Sequence, residues 1–286
     1  MTATFTDTVE LVWDLTRERP TLGGALVLRQ EGELLSRLRN LPNIHLRVIG
    51  GESDLAAVAR LTDSVFRSSA FEFLSAEETP SADSWPMPAA RGSREFSYFS
   101  FTRVIELHRK HGVAPRLQWN PHLEEQARTA RARFAGRLIC LHLRSVPPFT
   151  SEESNADGAS WNAFLSANAR PGSLEFILIG DDRLPSGLTL RAGVSRANDL
   201  GLDLATQLAL VGCADGFLGM ASGLCTAANF SGVPHVIFKH PAHHPAEMAR
   251  ELGAADRFSF AENTQRLWRR DATVDALHEA LTLISA

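Results

Sequence analysis

The sequence predicts an α/β protein folded as two small lobes, each built on a parallel sheet. Three observations predict it. A chain of 286 residues exceeds one ordinary domain, and halves of about 130 to 150 residues are common domain sizes. Strand-length apolar runs alternate with stretches of helical spacing, the order of a parallel sheet with crossover helices. The runs at 138–143 and 174–179 are almost continuously apolar, as strands are when helices cover both faces.

Val9-Glu10-Leu11-Val12-Trp13-Asp14-Leu15 reads as the first strand, and the turn-like segment after it ends in Gly23-Gly24 before an apolar helical pattern. Residues 44–49 form a second strand. Gly50-Gly51 then leads to Ser53-Asp54, cap chemistry for a helix running to about Val65. Over 75–97 the periodicity stops among Pro80, Pro86, Pro88 and Gly92, a length without pattern that marks a functional or mobile loop. A helix over 98–111, a short strand at Arg116-Leu117-Gln118-Trp119 and a charged helix over 121–134 close this half. The lobes are therefore expected at 1–133 and 134–286.

The second half opens on the 138–143 strand. A crossover helix over 160–169, stopped by Pro171-Gly172, leads to the 174–179 strand. Leu204, Leu208 and Val211 recur at helical spacing, 216–219 makes a short strand, 222–230 a helix and 235–238 a last strand. Repeated units of this kind describe a Rossmann-like lobe. Residues 264–284 are helical by pattern, a segment able to pack back across the lobe boundary.

Composition removes several function classes. With 44% hydrophobic and 22% charged residues the chain can bury a core. Its net charge of -4 supplies no basic field for a nucleic acid, although a local site for one or two phosphates needs only a few donors. Cys140, Cys213 and Cys225 are odd in number, lie in apolar stretches and lack C-x-x-C spacing, so buried reduced thiols are expected. No run approaches the roughly 18 apolar residues of a transmembrane segment, and the polar first ten residues carry no targeting block; a cytoplasmic protein is expected.

Two constellations carry chemistry. Alternation along 138–144 puts Cys140, His142 and Arg144 on one face, and His142 and Arg144 emerge at the carboxyl end of the strand, where open α/β sheets bind ligands. A guanidinium fork matches phosphate oxygens and a neighbouring imidazole adds a donor; the plainer alternative pairs Arg144 with a structural carboxylate and leaves His142 a satisfied core histidine. In Gly219-Met220-Ala221-Ser222-Gly223-Leu224-Cys225-Thr226 a small-residue turn opens a helix, whose unpaired N–H groups suit a diphosphate. Ser222 and Thr226 add hydroxyls and Gly223 lets the backbone approach; alternatively Ser222 is an N-cap only. His235, His240, His243 and His244 lack the spacing of a metal site, so they are expected to wall a pocket or to lie in a solvated loop.

The order of elements is more specific. Asp199-Leu200-Gly201-Leu202-Asp203-Leu204, a helix to Cys213, Ala214-Asp215-Gly216-Phe217-Leu218-Gly219, Ser222-Gly223, Ala227-Ala228 and Gly232-Val233-Pro234 before a strand resemble the C-terminal signature of GT-B glycosyltransferases, most of all the heptosyltransferase type. His142-Leu143-Arg144 is similar to the H-x-R of α1,6- and protein O-fucosyltransferases. The resemblance covers residues 136–240. Ala221 stands where the heptosyltransferase type has an acid before Ser-Gly, and its later histidine is missing near Thr226.

The resemblance implies two Rossmann-like lobes about a central cleft and a transferase for a nucleoside-diphosphate sugar. It puts the diphosphate near Arg144, Ser222 and Gly223, with Arg144 also assisting the departing group, and counts His142, Leu224 and Thr226 among the donor-binding residues. Base and ribose would lie near Gly180, Asp181 and Asp182 and the loop from Asp199 to Asp203. No metal or other cofactor is implied. The first lobe would bind a glycan or lipid-linked hydroxyl through the loop carrying Arg17, Arg19, Gly23 and Gly24, with Asp14, Glu18 or another residue as base. Trp13, Trp85, Phe96, Tyr98 and Phe99 are sugar-stacking candidates or core anchors. A nucleotide-sugar epimerase or hydrolase, and a non-catalytic nucleotide-binding protein, remain alternatives on the same fold.

Overall fold

A computed structural model of the chain describes residues 8–66, 71–74, 79–146, 154–252 and 256–285. They form two compact units, 1–120 and 121–286.

The first unit holds a parallel sheet of β1 (Thr8–Asp14), β2 (Asn43–Ile49) and β3 (Phe71–Leu74), in that order. The crossovers are α1 (Leu22–Arg39) and α2 (Glu52–Val65). Thr21 caps α1, its Oγ1 accepting from Gly24 N at 3.0 Å, so Gly23 and Gly24 are buried in the first helical turn and not in the preceding loop, as the sequence suggested. The N-cap of α2 is Gly51, whose N–H donates to Asp54 Oδ2 at 3.1 Å; Ser53 and Asp54 lie inside the helix. β3 has only four residues, too few for a period-two signal.

The opening of the 75–97 loop lies outside the described residues. Its remainder is tied down: Trp85 N donates to Glu10 O at 2.8 Å and Trp85 O accepts from Val12 N at 2.7 Å, which extends the sheet beside β1. After α3 (Pro88–Arg91) and α4 (Thr102–His111) the chain reaches 116–119, which is not a strand. That segment serves α1 instead. Gln118 N donates to Glu33 Oε2 at 3.1 Å, Gln118 O accepts from Arg29, and the Arg29 guanidinium lies 4.1 Å from the Trp119 ring centroid. Arg29 pairs with Glu33 at 2.7 Å and Arg103 with Glu31 at 2.9 Å, both deep in the unit.

The second unit begins with α5 (Pro121–Arg131), followed by β4 (Arg137–His142), α6 (Gly158–Asn168), β5 (Leu174–Leu178), β6 (Val194–Arg196), a 3₁₀ turn at Asn198–Leu200 and α7 (Leu204–Val211). Then come β7 (Gly216–Met220), α8 (Cys225–Asn229), β8 (His235–Phe238), α9 (Pro245–Leu252), β9 (Gln265–Trp268) and α10 (Val274–Ser285). Helix α5, read from the sequence as closing the first half, packs on α7 and belongs here. The 264–284 stretch is not one helix: β9 pairs with β8, with Gln265 opposite His235, before α10 starts. Helix α10 packs on α6, β7 and β8.

All six strands are parallel, in the order β6-β5-β4-β7-β8-β9. Ile139, Leu141 and Leu143, with Leu218, Met220, Val236 and Phe238, face a core shared with Trp161 and Phe164 of α6 and with Leu277 and Ile284 of α10. Cys140, His142, Phe217, Gly219 and Ile237 therefore face the other side. From β4 the chain builds outward through β5 and β6, then returns and builds the opposite way from β7. The switch point lies between β4 and β7, and in open sheets of this kind ligands bind outside the carboxyl ends of the strands at that point. Among the described residues no helix is long and apolar enough to cross a membrane.

Candidate functional site

At the switch point His142 pairs in register with Gly219. A side chain at Gly219 would meet His142 O at 2.8 Å, so the small residue there follows from the close approach of β4. His142 is 4% exposed. Its Nδ1 lies 3.2 Å from Ile179 O, and because a carbonyl only accepts, Nδ1 carries the proton. Burial lowers its pKa below the usual histidine range, against the opposing pull of the Ile179 hydrogen bond and Asp182. The neutral ring then presents Nε2 as an acceptor. That atom is buried without a hydrogen-bond partner, with Asp182 Oδ2 at 3.9 Å. An acceptor suits a ligand hydroxyl, whereas the sequence reading makes His142 a donor.

Arg144 is half-buried and its Nη1 donates to Asn155 Oδ1 at 3.2 Å. Asn155 also accepts from Val146 N at 3.0 Å and donates to Val146 O at 2.9 Å, so one amide fixes both the loop after β4 and the guanidinium. Asp182 reaches the same loop, accepting from Ser145 N at 3.2 Å.

The turn after β7 departs from expectation. The helix does not begin at Ser222: α8 spans Cys225–Asn229 with Leu224 as its N-cap. Ser222 Oγ accepts from Leu224 N at 3.2 Å, and Cys225 Sγ donates to Met220 O at 2.9 Å, closing a tight turn before the helix can form. Five residues align too few peptide dipoles for a strong field. Ala221, Ser222 and Gly223 are partly open, so the turn offers backbone and a hydroxyl. Thr226 is 1% exposed inside α8, off the open turn. Leu224 is also buried, and a side chain at Gly180 would meet its Cδ1 at 3.2 Å; Leu224 wedges the β5 tip against the turn.

At the β5 tip Gly180 takes a φ of 99°. Gly180 N donates to Gln207 Oε1 at 2.7 Å, and Gln207 Nε2 donates to Asn198 Oδ1 at 2.7 Å and to Leu202 O at 2.8 Å. Asn198 in turn donates to Asp181 Oδ1 at 3.1 Å. Asp181 and Asp199 are exposed on this rim, while Asp203 caps α7 by accepting from Thr206 N at 2.8 Å. Sequence reasoning missed Gln207, although one amide inside Leu-Ala-Thr-Gln-Leu-Ala-Leu-Val is a usable signal. It also missed Lys239, the one cation directly after the apolar run of β8.

In the first unit, Asp14 ends β1 and its Oδ1 accepts from Thr16 N at 3.0 Å and Thr16 Oγ1 at 2.6 Å. Glu18 holds the later segment, Oε1 accepting from Ser97 Oγ at 3.0 Å and Oε2 from Tyr98 N at 2.7 Å. Arg17 donates to Arg91 O at 2.6 Å; Arg17 and Arg19 are exposed. The aromatic candidates divide. Trp13 and Tyr98 are core, Trp85 Nε1 is bound by Glu31 Oε2 at 2.6 Å, and Phe96 packs edge-on to Tyr98 under the Arg103 guanidinium. Phe99 stands edge-on to Phe101 at 6.3 Å.

Among the described residues no three His, Cys, Asp or Glu side chains converge as metal ligands. His243 and His244 stack edge-on at 4.2 Å, and His235 Nδ1 lies 3.0 Å from Val233 O. Past β8, Pro241, Pro245, Asp256 and Arg269 line a cavity of about 300 Å³.

Solved structures resemble the chain over nearly its whole length. The ADP-heptose LPS heptosyltransferase II of E. coli aligns with 97% of this chain and 98% of its own, at a TM-score of 0.57 and 10% identity. A glycosyl transferase family 9 protein of Veillonella parvula aligns with 97% and 89%, at 0.53 and 12% identity. E. coli heptosyltransferase WaaC, solved with ADP-2-deoxy-2-fluoro heptose, aligns with 96% and 99%, at 0.52 and 11% identity. No protein-family model and no curated protein sequence matches the chain. At such identities the likeness concerns architecture: the chain has the GT-B glycosyltransferase fold.

Proposed function

We propose that the protein transfers a sugar from a nucleoside diphosphate to a hydroxyl of a glycan or lipid-linked acceptor on the cytoplasmic side, without a resident metal. One observation carries the reading: the switch point of the six-stranded sheet brings together a guanidinium, an enclosed imidazole acceptor and an open small-residue turn. Arg144 and the turn would hold the diphosphate, His142 Nε2 would accept from a donor hydroxyl, and the rim at Gly180, Asp181 and Asp199 would face ribose and base. Only groups that gain interaction as charge develops accelerate the reaction. Here charge develops on the diphosphate as the bond from the sugar anomeric carbon to the phosphate oxygen breaks and the electron pair stays on that oxygen.

The acceptor oxygen forms the new bond to the anomeric carbon and gives its proton to a carboxylate. Asp14 is the better candidate, since both oxygens of Glu18 are engaged by Ser97 and Tyr98 whereas Thr16 occupies one oxygen of Asp14. The test follows turnover of a panel of nucleoside-diphosphate sugars with and without hydroxyl acceptors. Transfer that needs acceptor and is lost in Asp14→Asn, with donor binding intact, supports the reading. Donor consumption without acceptor would instead indicate a hydrolase or epimerase, and tight binding without turnover a non-catalytic nucleotide-binding protein.

A further inference from the structure

Strand β8 ends at Phe238, yet its ladder continues: Lys239 N donates to Trp268 O at 2.9 Å. Alternation therefore puts the Lys239 side chain on the face of Ile237. Ile237 pairs in register with Gly219 and Gly219 with His142, so all three share the face away from the α6 and α10 core. Two residues beyond each stand Lys239, Ala221 and Arg144. Adjacent strands lie about 4.8 Å apart, which puts the Arg144 and Lys239 backbones about 10 Å apart with the Ala221-Ser222 turn between them. Two side chains of this length close such a gap from both sides.

Lys239 is 5% exposed. Among the described residues its ammonium has no hydrogen bond or ion pair. Burial lowers its pKa below the usual lysine value, Glu251 and Glu247 of α9 act on it only through space, and Arg144 repels it. A largely buried ammonium with no anion in contact is poorly compensated, and the arrangement is accounted for when a ligand supplies the anion. Along the carboxyl edge the order runs from the β5 rim through β4 and β7 to β8. A nucleoside seated at the β5 rim therefore puts the second phosphate of its diphosphate on the β8 side, with the cavity beyond Pro241 left for what that phosphate carries.

Resting on the nucleotide-sugar reading above, the geometry points to Lys239 as the second cationic anchor of the donor, gripping the phosphate farther from the nucleoside while Arg144 grips the nearer one. Lys239 then stands beside the oxygen that receives the bonding electrons when the sugar departs.

The experiment uses isothermal titration of the full chain with ADP, GDP, UDP, CDP and dTDP, and with the monophosphate of whichever binds best. Lys239→Met keeps the stem and removes the charge. It is expected to weaken the diphosphate by at least about ten-fold, to leave the monophosphate within about two-fold, and to melt no lower than wild type, since an enclosed unpaired charge is gone. Lys239→Arg should recover part of the loss, and Arg144→Ala should weaken both nucleotides. Unchanged diphosphate affinity in Lys239→Met, or equal losses for both nucleotides, overturns the assignment of Lys239 and leaves the donor-site reading standing. A wild-type chain that binds none of the five diphosphates overturns the donor-site reading itself.

Discussion

Replacing Gly180 by alanine tests the link between backbone and site. At a φ of 99° an L-residue is strained by about 1–3 kcal/mol. Its Cβ would also stand 3.1 Å from His142 Nδ1 and 3.2 Å from Leu224 Cδ1, closer than ordinary contact. Relaxing the angle would loosen the 2.7 Å bond from Gly180 N to Gln207 Oε1, worth about 1 kcal/mol. The sum is about 3 kcal/mol, which at about 2–4 °C per kcal/mol for a unit of this size lowers Tm by roughly 6–12 °C. Gly201→Ala is the control: its φ is 72° and nothing lies within 4 Å of the added carbon, so only strain of about 1–2 kcal/mol remains. Urea unfolding of both variants, with calorimetric titration of the bound diphosphate, separates the terms. Gly180→Ala is expected to lose more stability than Gly201→Ala and, unlike it, to weaken the ligand by displacing His142. Equal stability losses with unchanged binding would refute the described contact between the β5 tip and the imidazole.

Three further outcomes follow from burial and charge. Because burial lowers the folded-state pKa of His142, the unfolded chain binds more protons below its own histidine pKa of about 6.5, so stability is full above that pH and falls beneath it by up to about 1.4 kcal/mol per unit. Urea midpoints of wild type and His142→Gln between pH 5 and 8 should diverge only on the acid side, and parallel curves would contradict the assignment. The Cys225 thiol is pushed up to about 12 by burial and Cys140 higher still, so native protein at pH 8 should leave both unalkylated by iodoacetamide while unfolded protein reacts at all three cysteines; rapid native labelling of Cys225 would count against the closed turn. Glu31→Ala removes the acceptor of Arg103 Nε and Trp85 Nε1 and should cost about 3–5 kcal/mol in urea unfolding, whereas a loss below about 1 kcal/mol would show that the segment around Trp85 is held by other contacts.

What the sequence made legible was what repeats. The 138–143 and 174–179 runs and the alternation ending at His142 and Arg144 belong to strands covered on both faces, where every residue of one face reports burial. Short edge elements carry no such signal: β3 and β9 have four residues each and β6 has three. Helical spacing across 264–284 masked β9, whose pairing is decided by β8 and not by local pattern. Ser222 looked like a helix start because small residues serve turns and caps alike, and the Cys225 thiol bond back to Met220 O, with the Leu224 N–H held by the Ser222 hydroxyl, separates the two. Lys239 is a lone cation followed by His240, and only the ladder that continues past β8 gives it the same place relative to its strand as Arg144.

The most direct measurement is the affinity of full-length wild type and Arg144→Ala for the five nucleoside diphosphates, followed by calorimetry at fixed ionic strength. The account predicts that one base is preferred by wild type and that Arg144→Ala, folded by its melting curve, binds that nucleotide about ten-fold or more weakly, matching the loss of a charged hydrogen bond. Equal affinity in the two proteins would contradict a phosphate site at the β4–β7 switch point.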